Sequence, residues 1–178
     1  MTKNGQKDGL LAFLGIYETA SHDGFIGAVL VTDHKGIPQE FRCTHPVKPT
    51  SIQKPLYGDA LEPFIGVNLC GVPLFKSIQN APALIVVNKD HLLGIRNSNS
   101  CPVVCVSRAG SESKTDKIES STGRFKPISQ ATHPDFAGDS GVARDLLKKI
   151  FDDMDPIEPF DRMKKAIDVL GKQDNRFN

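Results

Sequence analysis

The sequence predicts a mixed α/β fold, with α+β character: a mixed sheet that opens with a three-stranded antiparallel meander, is covered by helices, and ends in a C-terminal αα-hairpin. Three observations carry this prediction. Three apolar runs before residue 45 are separated by two short turn clusters, a helical pattern rich in small residues follows, and two short β-branched runs come after it. The chain has 178 residues, 39% of them hydrophobic, which suits one core with an accessory segment rather than two full cores.

Residues 10–18 form the first apolar run, and Ser21-His22-Asp23-Gly24 ends it as a turn. Residues 25–32 resume with Ile26, Val29, Leu30 and Val31. Asp33-His34-Lys35-Gly36 is the second turn, its glycine free to take a positive φ. Residues 37–44 read as the third strand, with Phe41 and Cys43 facing one way and Glu40 and Arg42 the other. Pro46 and Pro49 stop the sheet, because proline removes a ladder donor. Across 57–78, Leu61, Phe64 or Ile65, Leu69 and Val72 recur near helical spacing, and Gly71-Val72-Pro73 predicts a kink or a split. Leu84 to Val87 marks a strand within 82–88, with a further extension through His91, Leu92, Leu93 and Ile95. Residues 103–106 supply another, and such unbroken apolar runs fit strands buried on both faces.

Charge divides the chain by density rather than by sign. The first 109 residues carry 18 charged side chains and the last 69 carry 25, while both parts are close to neutral. The predicted organisation is therefore a mixed-sheet core over 1–109, a polar loop or arm over 110–138 that proteases should cut between Ser111 and Gly123, and a helical hairpin over 139–178 packed on the core or on a partner. The first hairpin helix is capped by Asp139 or Ser140; the second starts after Asp161 and ends at Gly171. A formal net charge of +1 excludes the general polyanion affinity of a polycation. There is no apolar run long enough for a bilayer and no secretory start, so a cytoplasmic protein without membrane contact is expected. Cys43, Cys70, Cys101 and Cys105 then read as buried thiols in a reducing compartment.

No catalytic motif stands out. The expected function is an accessory or protein-interaction subunit of a larger intracellular assembly, not an enzyme and without a cofactor. It would meet a protein partner or a second copy through Phe151, Phe160, Met163, Ile167 and Leu170. An alternative rests on acids at element ends: Glu18, Asp33, Asp59 and Asp90. A meander followed by a helix and further strands resembles the opening of ribonuclease H-like folds, in topology and without a family motif. That resemblance implies a nucleic-acid hydrolase using Mg2+ or Mn2+, with those four carboxylates as the ligands. Such a site wants an acid inside the first strand, whereas Glu18 stands at its end. Arg108, Arg124 and Lys126 are candidate contacts for an anion or a nucleic acid, with Phe125 as an aromatic neighbour. A third reading is a small-molecule or anion-binding module, built on the bend around Arg108.

Overall fold

In the computed structural model, which describes residues 9–110 and 116–177, strands β1 (Leu11–Glu18), β2 (Phe25–Thr32), β3 (Pro38–Cys43), β4 (Leu84–Val87), β5 (Val103–Arg108), β6 (Lys117–Ile118) and β7 (Ile128–Ala131) build one sheet. Their order is β3-β2-β1-β4-β5-β7-β6. The first three strands pair antiparallel, as the two turns predict. β4 joins β1 in parallel, β5 joins β4 in parallel, and β7 and β6 close the far edge antiparallel. Alternation along β1 sends Leu11 and Phe13 to one face and Ala12, Leu14 and Ile16 to the other, and all five are buried. A central strand of a parallel pair needs cover on both faces, which explains its unbroken hydrophobicity.

One face is covered by a helical run made of α1 (Gln53–Tyr57), a 3-10 turn (Gly58–Ala60), α2 (Leu61–Phe64), a π-helical stretch (Ile65–Gly71) and α3 (Val72–Ser77). The split expected at Gly71-Val72-Pro73 does not occur. Gly71 and Val72 keep right-handed helical dihedrals, so the run continues through Pro73, which supplies no N–H to it. Ile65, Cys70 and Leu74 pack on Leu14, Ile16, Val29 and Val31. Close approach is possible because Gly27 of β2 has no side chain; a Cβ there would lie 2.5 Å from Cys70 Cβ.

The strand expected through His91 to Ile95 is instead a 3-10 helix, Asp90–Ser98. β5 runs parallel to β4, so the chain must travel back across a sheet face between them. Leu92, Leu93 and Ile95 are spent on that crossing, buried against the same core as α3.

The opposite face carries α4 (Asp139–Ile150) and α5 (Glu158–Gln173). α5 begins at Glu158 with Pro159 in its first turn rather than after Asp161, and it runs through the buried Gly171. Phe13 meets Phe160 edge to face at 5.8 Å between ring centroids. This packing corrects the expected partner surface. Phe151, Phe160, Met163 and Ile167 are at most 4% exposed within the chain's own core, and Leu170 is half-buried. An apolar stripe at helical spacing reports that a face is covered, and here the sheet covers it.

Residues 110–138 differ likewise from the predicted arm. The described part gives the sheet β6 and β7, and Ile118 and Ile128 are fully buried. Residues 111–115, where the protease-sensitive expectation begins, lie outside the described residues. No helix among the described residues is long and apolar enough to cross a membrane.

The four cysteines are free. Burial, as the main cause, pushes the Cys101 thiol up to about 11 and the Cys105 thiol up to about 12. The unfolded chain therefore releases these protons first as the solution becomes alkaline. Their contribution to stability is complete below the ordinary thiol value near 9 and is lost as pH rises toward 11 and 12. Urea denaturation across that interval should show the fall; in Cys101→Ala/Cys105→Ala the thiol part of the fall should be absent, and an equal fall in both proteins would refute the assignment.

Candidate functional site

β1 and β4 are parallel, so their C-terminal ends share one edge of the sheet, the usual place for a crevice in α/β proteins. Three elements deliver side chains there. Glu62 comes from α2, Lys89 follows β4, and His91 lies in the 3-10 helix after it. The Lys89 ammonium donates directly to Glu62 Oε1, and His91 Nε2 stands 3.9 Å from the same oxygen. Burial is the main cause that lowers the pKa of His91; Glu62 opposes it and Lys89 adds to it. The imidazole is thereby held toward its neutral form.

Two buried polar atoms here, His91 Nε2 and Asn88 Oδ1, have no hydrogen-bond partner among the described residues. Buried polar atoms are nearly always satisfied, so these two atoms, in and next to the segment after β4, are unusual. The π-helical stretch forms one wall. A Cβ on Gly66 would lie 2.8 Å from Leu92 Cδ2 and 3.4 Å from His91 Nε2, so a side chain there must displace Leu92 and comes into contact with the imidazole. α2 also borders a groove of about 250 Å³ lined by Val47, Pro49, Tyr57, Leu61, Phe64 and Leu69. The rings of Tyr57 and Phe64 lie 5.2 Å apart.

Of the four acids read from the sequence, Asp90 alone belongs to this place: it acts electrostatically on His91 and bonds the Cys105 thiol. Glu18 is exposed and sits 2.8 Å from His22 Nδ1. Asp33 Oδ1 accepts from the backbone N–H groups of Lys35 and Ile37, each at 2.9 Å, and so fastens its own turn. The β1–β2 register puts that turn at the opposite end of the strands from Glu18, so these two carboxylates cannot share an ion. Asp59 is exposed in the 3-10 turn before α2.

Among the described residues no three His, Cys, Asp or Glu side chains gather closely enough to hold a metal ion. The described side chains therefore do not make a closed metal centre by themselves. Glu62 and Asp90 remain as hard oxygen donors at the crevice.

The basic candidates lie at the end of β5 and in the loop before β7. Arg108 is occupied: its guanidinium pairs with Asp155 and donates to the Lys126 carbonyl at 3.1 Å. Arg124 and Lys126 are exposed.

No protein-family model matches the chain, and no curated protein matches it in sequence. Solved structures match it in fold. Human endonuclease V superposes with a TM-score of 0.61 at 10% identity, over 93% of this chain and 86% of that one. Endonuclease V of Bacillus subtilis gives 0.55 at 11%, over 93% and 83%. Endonuclease V of Ciona intestinalis, solved in complex with a 24mer DNA containing an inosine followed by a ribo-adenosine, gives 0.54 at 11%, over 91% and 87%. The shared fold is the mixed α/β, ribonuclease H-like one that the meander and the following helix resemble.

These matches overturn three expectations drawn from the missing motif: an accessory or interaction subunit, a chain that is not an enzyme, and a chain without a cofactor. The chain has the fold of solved nucleic-acid hydrolases, and ribonuclease H-like nucleases work with divalent cations. The physical reason for the error is that a fold is set by how strands meet in space, which leaves no contiguous signature in the sequence.

Proposed function

We propose that the chain is a nucleic-acid hydrolase that takes a strand across the crevice formed by Glu62, Lys89, Asp90 and His91. The observation that carries this reading is the agreement in fold with endonuclease V from three organisms over at least 91% of this chain. The side chains support it. Lys89 is a point charge suited to a phosphate oxygen. His91, held toward its neutral form, is a proton acceptor for an attacking water. Exposed Tyr57 and the groove beside it offer aromatic surface on which an unstacked base can rest. Hydrolysis is expected to need added Mg2+ or Mn2+, since Mg2+ is commonly held by one or two carboxylates together with the substrate's own phosphates. Free thiols with raised pKa values fit a protein of a reducing compartment.

The DNA bound by the Ciona enzyme supplies the first probe: an oligonucleotide with an inosine followed by a ribo-adenosine. Binding that weakens with salt, and cleavage that depends on Mg2+ or Mn2+, are the expected results. Glu62→Gln should lower cleavage on the order of 100-fold while leaving binding within a few-fold. Neither binding nor cleavage at low salt with either ion would overturn the reading.

A further inference from the structure

We propose that Arg124 and Lys126 form a second contact for the phosphates of a nucleic-acid strand, outside the crevice; the proposal rests on the nucleic-acid reading above and extends its footprint. The loop that carries them joins β6 to β7. Arg108 pairs with Ile128 across the sheet, which puts this loop at the end of β5, on the edge where β1 and β4 also end.

The loop is fastened. Asp152 Oδ1 accepts from Ser120 Oγ at 2.8 Å and from the Ser121 N–H at 2.8 Å, and its other oxygen accepts from the Ser121 hydroxyl. These hydrogen bonds hold the Asp152 carboxyl below the usual range. Phe125 stacks on the fully buried Phe151 at 6.2 Å, with the ring planes 8° apart. Arg108 holds the Lys126 carbonyl from the other side. The backbone at 120–126 is thus tied at both ends, at Ser120 and Ser121 and at Phe125 and Lys126.

What that frame presents is a pair of exposed cations. Asp152 is taken up by the serines, Asp155 by Arg108 and Glu119 by Lys117. Arg124 and Lys126 are exposed, and neither makes an ion pair among the described residues. The Arg124 guanidinium carbon lies 5.0 Å from the Phe125 ring centre, which limits where that side chain points. A fixed loop loses little conformational entropy when it meets an anion, so the pair is suited to successive phosphates of one strand. Nothing here reads a base, so the contact should add affinity without sequence preference.

The test compares the wild-type chain with Arg124→Ala/Lys126→Ala on the inosine-containing oligonucleotide over a series of salt concentrations. Two lost phosphate contacts should reduce the slope of log K against log salt by about 1.4 and weaken binding roughly 10-fold at about 0.1 M salt. Arg124→Lys/Lys126→Arg should keep the wild-type slope, which separates charge from loop structure. Unchanged slope and affinity in the alanine pair, with a wild type that binds, would overturn this proposal and leave the crevice reading standing. A wild type that does not bind at all would overturn both.

Discussion

Asp139→Ala is expected to lower the free energy of unfolding by about 3 kcal/mol, from the loss of one partner in a largely buried ion pair. Asp139 opens α4 and its side chain is 9% exposed; its partner Arg96 is 17% exposed. The carboxylate accepts from Arg96 Nε at 2.8 Å and from the backbone N–H of Val103, the first residue of β5, at 3.1 Å. It therefore ties the 3-10 helix on one face of the sheet to the helix on the other, through the strand between them. Alanine leaves a guanidinium and a strand N–H without their acceptor, and the remaining bond from Arg96 to the Asn99 carbonyl does not replace it. Asp139→Asn keeps an acceptor but loses the charge and should fall between the two. Urea denaturation measures all three proteins; a loss below about 0.5 kcal/mol for alanine would show that the pair is effectively solvated.

Gly66→Val is expected to cost about 2–3 kcal/mol through overpacking and to disable the crevice at the same time. A Cβ at this position meets Leu92 Cδ2 at 2.8 Å, Ile16 Cγ1 at 3.3 Å and His91 Nε2 at 3.4 Å. The branched side chain must displace either the core under β1 or the imidazole. Gly66→Ala is the informative companion: Leu92 can swing away, and alanine gains up to about 1 kcal/mol of helix propensity over glycine. Alanine should thus be close to neutral in stability while still crowding His91. Cleavage falling more than stability in Gly66→Ala is the expected pattern; full activity in Gly66→Val would mean that the imidazole is not held by this wall.

The meander was legible because everything that defines it is local. Two turn clusters and the apolar runs between them place β1, β2 and β3 within a residue or two, and β2 spans Phe25–Thr32 as read. The terminal helices were legible for the same reason. Leu92, Leu93 and Ile95 were not, because an apolar run of that length fits a strand or a tight helix equally well, and only the parallel placement of β5 decides. β7 was hidden by its polarity: Ser129 and Ala131 alternate with Ile128 and Gln130, a weak pattern in a short edge region.

The candidate site was the least legible part. Glu62 reads as one more charged residue on a broken helix, Lys89 as a turn residue after β4, and His91 as the start of a strand extension. Nothing near them in sequence says that β4 will lie beside β1. The acids that did attract notice were chosen for standing at element ends, and Asp33 shows why that criterion is weak: β2 reverses the chain and carries it to the far edge. The hairpin stripe failed differently. Its pattern correctly announced burial but could not say by what.

The parallel pairing of β1 with β4 also fixes the order in which the chain can be assembled. Leu11 pairs with Leu84, so the inner edge of β1 waits for the synthesis of 73 further residues after its own appearance. Its outer edge is served at once by β2, only a short turn away. During synthesis the emerging chain should therefore carry a finished meander with one hydrophobic strand edge unsatisfied, and the backbone groups of Leu11 to Leu14 that face away from β2 are templates for the wrong neighbour in that interval. Loop closure across so long a stretch is entropically slow. Truncations ending shortly before β4 should aggregate, and the full chain should not; the vulnerable period in the life of this protein is set by where one strand sits in the sheet.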